Sequence, residues 1–159
     1  MTDLTTSKHF REEEYYELLQ QAVAVIESSR LQIAKQINTI TISSYWVIGK
    51  LLEERKLDSK YGDSVVKQLS VDLKSKFPTM GLSTRNLWNM KRFYLQYYQC
   101  DKKVQQAVAL LPWGHNLLLM NYDLSEEYVV FYANEVFSKG WSRDMLRHAL
   151  KSNYHLAIQ

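Results

Sequence analysis

The chain has 159 residues, 46% of them hydrophobic and 23% charged, which is enough to bury a core as one compact domain or two small helical lobes without disulfides or metal. Its single cysteine, Cys100, excludes an internal disulfide and a cysteine-based zinc site and fits a cytoplasmic location. The net charge of +3 is uneven: −1 over residues 1–60, +5 over residues 61–111 and −1 over residues 112–159, a positive middle of the kind that contacts phosphate.

Gly and Pro are scarce, so long periodic stretches read as helices. Met1 to Phe10 is polar and lacks the apolar centre of a signal peptide, and no apolar run approaches the roughly 18 residues of a membrane span. A first helix is expected over Arg11 to Ser28, with Tyr15, Leu19, Ala22 and Ile26 on one stripe and Glu12, Glu13 and Glu14 in its first turn. A second is expected over Leu31 to Arg55, marked by Ile33, Ile37, Ile40, Ile48 and Leu51, with Gly49 allowing close helix approach. The two together read as an antiparallel pair or an oligomer-forming stalk over residues 1–57.

Residues 58–159 read as a second region. Lys56 to Tyr61 is a polar connection. Asp63 then caps a helix to Lys76, and Phe77 to Leu82 is a break in which Pro78 stops the helix and Gly81 eases the turn. Ser83 caps the next helix, to about Gln99. Further helices are expected over Lys103–Leu110, His115–Asn121, Ser125–Ser138 and Arg143–Asn153, with Gly140 just past the end of the third and Ser142 capping the fourth. The fold class is therefore all-α, a multi-helix domain with a long N-terminal helical pair.

The segment from Tyr61 to Gln99 has the layout of a helix-turn-helix. With Arg85 as zero, Asn89, Arg92 and Gln96 fall at about 40°, 340° and 20° around the second helix. Leu87, Met90, Tyr94 and Tyr98 fall at about 200°, 140°, 180° and 220°, the expected buried side. Arg, Asn and Gln are the side chains that hydrogen-bond G and A edges in the major groove. Thr84 and Asn86 at the helix start, and Lys67, Lys74, Lys76 and Lys91 nearby, are expected at phosphates. A solvated polar face is the plainer alternative. Trp88 reads as core, and Arg143 with Arg147 as the surface of a packed C-terminal helix.

Catalytic signatures do not emerge. There is no Gly-rich phosphate loop, and His9, His115, His148 and His155 lack metal-ligand spacing. Asp72-Leu73-Lys74 and Glu54-Arg55-Lys56 match an acid-x-Lys fragment but fall in expected helices and read as chance. No enzyme activity, cofactor or metal is expected.

Five ordered blocks carry a resemblance. Tyr45-Trp46-Val47-Ile48-Gly49-Lys50, Tyr61 to Ser70, Gly81 to Tyr94, Leu111-Pro112-Trp113-Gly114-His115 and Lys139-Gly140-Trp141-Ser142 resemble the N-terminal domain of the YhcG family over roughly Leu31 to Leu150. The resemblance implies a prokaryotic, winged-helix-like DNA-binding domain that precedes a PD-(D/E)xK nuclease domain in full-length members. It carries over Arg85, Asn86, Asn89, Lys91 and Arg92 as DNA-facing candidates. No β-hairpin that could serve as the wing is visible, and the chain is either a truncated form or a stand-alone homologue. The expected function is a non-catalytic DNA-binding module, the targeting part of a YhcG-type nuclease system, with double-stranded DNA, a nuclease domain or subunit, and further copies of itself as partners. The alternative is a protein-interaction or oligomerisation module.

Overall fold

The computed structural model describes residues 4–58 and 62–158, with side chains from Arg11 onward. Among the described residues there are eight helices and no strand: α1 (Leu4–Glu54), α2 (Asp63–Lys76), α3 (Thr84–Tyr97), α4 (Lys102–Ala109), α5 (Trp113–Leu119), α6 (Glu126–Lys139), α7 (Arg143–Lys151) and α8 (Tyr154–Ala157). The all-α expectation holds, and the described residues form no β wing. Part of the polar connection, residues 59–61, lies outside the described residues, as does the Tyr61 that opens one of the five sequence blocks.

The expected N-terminal pair is instead one continuous helix of 51 residues. The expected break falls at Ser29 and Arg30. Serine costs an α-helix only about half a kcal/mol relative to alanine, and no Gly or Pro lies between residues 11 and 48 to force a turn. Two units divide the chain between Ile37 and Asn38. The first is the leading part of α1, in which every side chain from Arg11 to Ile37 is exposed.

The second unit contains the core. Its first residues, the C-terminal part of α1, bury Ile42, Tyr45 and Leu52. Two apolar clusters form around them. Tyr45, Leu52, Val66, Leu82, Leu87 and Met90 join α1, α2 and α3. Ile42, Phe93, Tyr97, Val104, Leu119, Tyr132 and Leu146 are among the residues that join α1 and α3 to α4 through α7. Helix α3 contributes to both, so it is the wall they share. Asn116, fully buried, donates to the carbonyls of Val108 (2.9 Å) and Leu111 (3.2 Å) and ties α5 to the end of α4.

Local chemistry fixes most helix ends. The hydroxyls of Ser83, Ser125 and Ser142 accept from the backbone N–H three residues on, as expected of Ser caps. Gly140 ends α6 in the left-handed conformation at φ 64°. Asp63 is the first residue of α2 rather than its cap, and pairs with Lys67 one turn later at 3.1 Å. Helix α4 begins one residue early because Asp101 accepts from the Lys103 N–H. The one-turn α8 was not expected.

Helices α1 and α3 approach closely at Gly49. A Cβ added to Gly49 would lie 2.1 Å from the Met90 carbonyl oxygen, so α3's backbone rests directly on α1. In an exposed helix Gly→Ala stabilises by about 1 kcal/mol. Here the sign should reverse: Gly49→Ala is expected to destabilise by about 1–3 kcal/mol through overpacking, read from the urea midpoint. A midpoint at or above that of the wild type would contradict this packing.

Candidate nucleic-acid interface

Helix α3 enters from α2 through the seven residues Phe77 to Ser83. That is longer than the three or four residues of a compact helix-turn-helix. Two hydrogen bonds tie the connection down: Ser70 Oγ, buried in α2, donates to the Leu82 carbonyl at 2.7 Å, and Asn86 Nδ2 donates to the Gly81 carbonyl. The buried face of α3 is Leu87, Met90, Phe93 and Tyr97. Leu87 and Met90 are as expected, whereas Tyr94 is half-buried and Tyr98 exposed. Phe93 and Tyr97 fall at about 80° and 120° on the same count, so the core covers α3 on one flank and not only diametrically opposite Arg85. Tyr94 packs edge-on against Trp46 (5.2 Å between centroids) and stacks on Tyr98 (5.0 Å), which makes it a shelf at the rim.

The exposed side of α3 carries a cavity of about 310 Å³. Ser83, Arg85, Asn86, Asn89, Arg92, Leu117 and Asn121 line it. Four of the sequence-predicted residues thus meet in one place, with two guanidiniums and no carboxylate in the lining. Arg85 is exposed and Asn89 half-buried. Arg92 is held: its Nη2 donates to the Met120 carbonyl at 2.6 Å and its Nη1 to Asn121 Oδ1 at 3.2 Å. The end of α5 therefore orients that guanidinium and still leaves it further N–H donors. Beneath the helix, burial raises the pKa of the Tyr97 phenol; nearby Cys100 adds to the shift and the Arg92 charge opposes it.

Other candidates are spent on the fold. Asn86 spans two elements, donating to Gly81 and accepting from Trp113 Nε1 at 2.7 Å. Lys91 donates to the Leu57 carbonyl, lies 3.7 Å from Glu53 and covers the Trp88 ring, with its side chain only 16% exposed. Both were expected at phosphates; the structure gives each a bracing role within the protein. Thr84 is half-buried outside the cavity. Gln96 lies on a neighbouring open groove of about 390 Å³ with Trp88, Lys91, Arg92 and Leu95. Trp88 is half-buried, at the edge of the second cluster. Lys67, Lys74 and Lys76 are exposed on α2, Lys67 being paired with Asp63.

Leu117 and Asn121 were missed. They come from α5 and its end, about 30 positions along the chain, and only the tertiary fold brings them beside Arg92. Trp113, within one of the five sequence blocks, acts as a post: it donates to Asn86 and packs edge-on against Tyr45 (4.9 Å) and Phe93 (5.4 Å). His115 Nε2 donates to the Trp141 carbonyl at 2.8 Å, a structural contact. Among the described residues no group of three His, Cys, Asp or Glu could hold a metal ion, and no helix is long and apolar enough to cross a membrane.

The bracing role of Asn86 has a measurable consequence. Asn86→Ala should destabilise the protein by about 1–3 kcal/mol, because it leaves the Trp113 N–H without its acceptor. Arg85→Ala, at an exposed position, should leave thermal unfolding within about 0.5 kcal/mol of wild type. Equal melting curves for the wild type and Asn86→Ala would return Asn86 to the list of free ligand-binding groups.

No curated protein and no solved structure matches the chain. The DUF1016 N-terminal domain matches residues 21–157. In YhcG-family proteins this domain precedes a PD-(D/E)xK nuclease domain and is the non-catalytic part. With most of its length matched, the chain belongs to the DUF1016 N-terminal domain family.

Proposed function

We propose that this domain binds double-stranded DNA through the exposed side of α3 and, in the cytoplasm, acts as the targeting part of a YhcG-type nuclease system. The observation that carries the reading is the carboxylate-free cavity in which Arg85, Asn89 and Arg92 meet. An acid-free pocket with two guanidiniums favours a polyanion. Arg and Asn also have the donor and acceptor patterns that pair with G and A.

The side chains divide by how firmly they are held. Arg85 is exposed, so it can adapt to a base edge. Asn89, one turn along the same face, is its partner in readout. Arg92, fixed by Met120 and Asn121, suits a phosphate at a set position. Gln96 extends the row, and Lys67, Lys74 and Lys76 on α2 add contacts without sequence information. Asn86 and Lys91 brace α3, and Thr84 stands at its start.

The test is a mobility-shift titration with duplex DNA, single-stranded DNA and structured RNA at two salt concentrations. Wild type should prefer duplex and weaken steeply as salt rises, because phosphate contacts release counterions. Arg85→Ala or Asn89→Ala should each lower duplex affinity by roughly 5- to 150-fold, the equivalent of about 1–3 kcal/mol for a lost base contact. Equal affinity for the wild type and an Arg85→Ala/Arg92→Ala double variant would remove the assignment.

A second reading, an interaction or oligomerisation module, is favoured by a different observation, the exposed apolar side chains of α1, and is compatible with the first.

A further inference from the structure

The first unit lies within the leading part of α1. Every side chain from Arg11 to Ile37 is exposed, including Tyr15 (59%), Ile26 (55%), Ile33 (55%) and Ile37 (59%). With Tyr15 as zero, Leu19, Ala22, Ile26, Ile33 and Ile37 fall at about 40°, 340°, 20°, 0° and 40°, one stripe among exposed apolar side chains that also include Tyr16, Leu18, Val23, Val25 and Leu31. Val23, Val25, Ile26, Ile33 and Ile37 are β-branched and lower the intrinsic stability of the helix. Helices of this kind are stabilised chiefly by packing an apolar face.

The charges along the same segment indicate the occupant. Within residues 15–37 the first half carries Glu17 alone and the second half carries Glu27 against Arg30 and Lys35, a net +1. A parallel pair of identical helices would set Glu17 beside Glu17 and Lys35 beside Lys35. An antiparallel pair centred on Ile26 sets each Glu17 opposite the second copy's Lys35. Centred on Ile26, the antiparallel register also matches the apolar stripe. Tyr15 then lies opposite the second copy's Ile37, Leu19 opposite its Ile33, and Ile26 opposite its Ile26. The polar residues that interrupt the stripe, Ser29 and Arg30, fall opposite Val23 and Ala22.

We infer that residues 15–37 of α1 pair antiparallel with the same segment of a second copy, giving a two-fold dimer centred on Ile26. Such an interface is isologous: each copy gives and receives the same contacts. The inference deepens the interaction reading and does not depend on what α3 binds.

Light scattering after size exclusion, on the whole chain without DNA, reads the first half of the proposal. The expected mass is twice the 18.8 kDa of one chain. Ile26→Glu should return it to one chain. That substitution is at an exposed position, and unchanged far-ultraviolet circular dichroism and tryptophan fluorescence would show that the second unit stays folded. Disulfide cross-linking in a Cys100→Ser background reads the register. A mixture of Leu19→Cys and Ile33→Cys chains should form the mixed dimer, while Leu19→Cys alone should not cross-link to itself. A single-chain mass for the wild type at about 100 μM, the upper reach of a weak self-association, would overturn the pairing. So would a mass unaffected by Ile26→Glu. Self-cross-linking of Leu19→Cys without the mixed product would overturn the antiparallel register.

Discussion

The absence of a side chain at residue 49 determines where α3 lies. Gly49 lets the α3 backbone at Met90 come against α1 with no Cβ between them. Larger side chains on either side then set the rotation of α3. Tyr45 meets Trp113, Trp46 meets Phe93 and Tyr94, and Leu52 lies in one cluster with Leu87 and Met90. Because both apolar clusters draw on α3, the helix has little freedom to roll. Its exposed face follows from how its buried face is held.

That constraint separates side chains that look alike in the sequence. Asn86, Asn89, Lys91 and Arg92 all have the chemistry of nucleic-acid contacts. Asn86 and Lys91 spend it on the Trp113 indole and on the Leu57 carbonyl and Glu53, bracing the helix ends. Arg92 is intermediate, anchored at the end of α5 while lining the cavity. Arg85 and Asn89 line the same cavity, the first exposed and the second half-buried. A buried donor deprived of its partner costs more than an exposed one, so substitutions at the two groups should act on different quantities, stability for the first and affinity for the second.

Much of this was legible in the sequence. Hydroxyl caps at Ser83, Ser125 and Ser142, the Gly140 terminator and the period of the apolar residues placed α3, α6 and α7, because these signals are local. The polar stripe through Arg85, Asn89 and Arg92 was legible because helical spacing alone puts those residues on one face. Tertiary packing decided the rest. The expected break near residue 29 is overridden by helix continuity. Tyr94 and Tyr98 are the expected buried pair, and the direction from which α1 and α4–α7 approach buries Phe93 and Tyr97 instead. Leu117 and Asn121 have no one-dimensional signal, since their role depends on proximity to Arg92.

The central claim is that the cavity side of α3 is the surface that meets nucleic acid. Backbone amide chemical shifts, followed by NMR as a short DNA duplex is added, test it most directly. The amides of Arg85, Asn89 and Arg92, with those of Leu117 and Asn121 across the cavity, should move first and furthest, while α6 and α7 stay still. Shifts confined to α6 and α7, or none at duplex concentrations that saturate the mobility shift, would contradict the account.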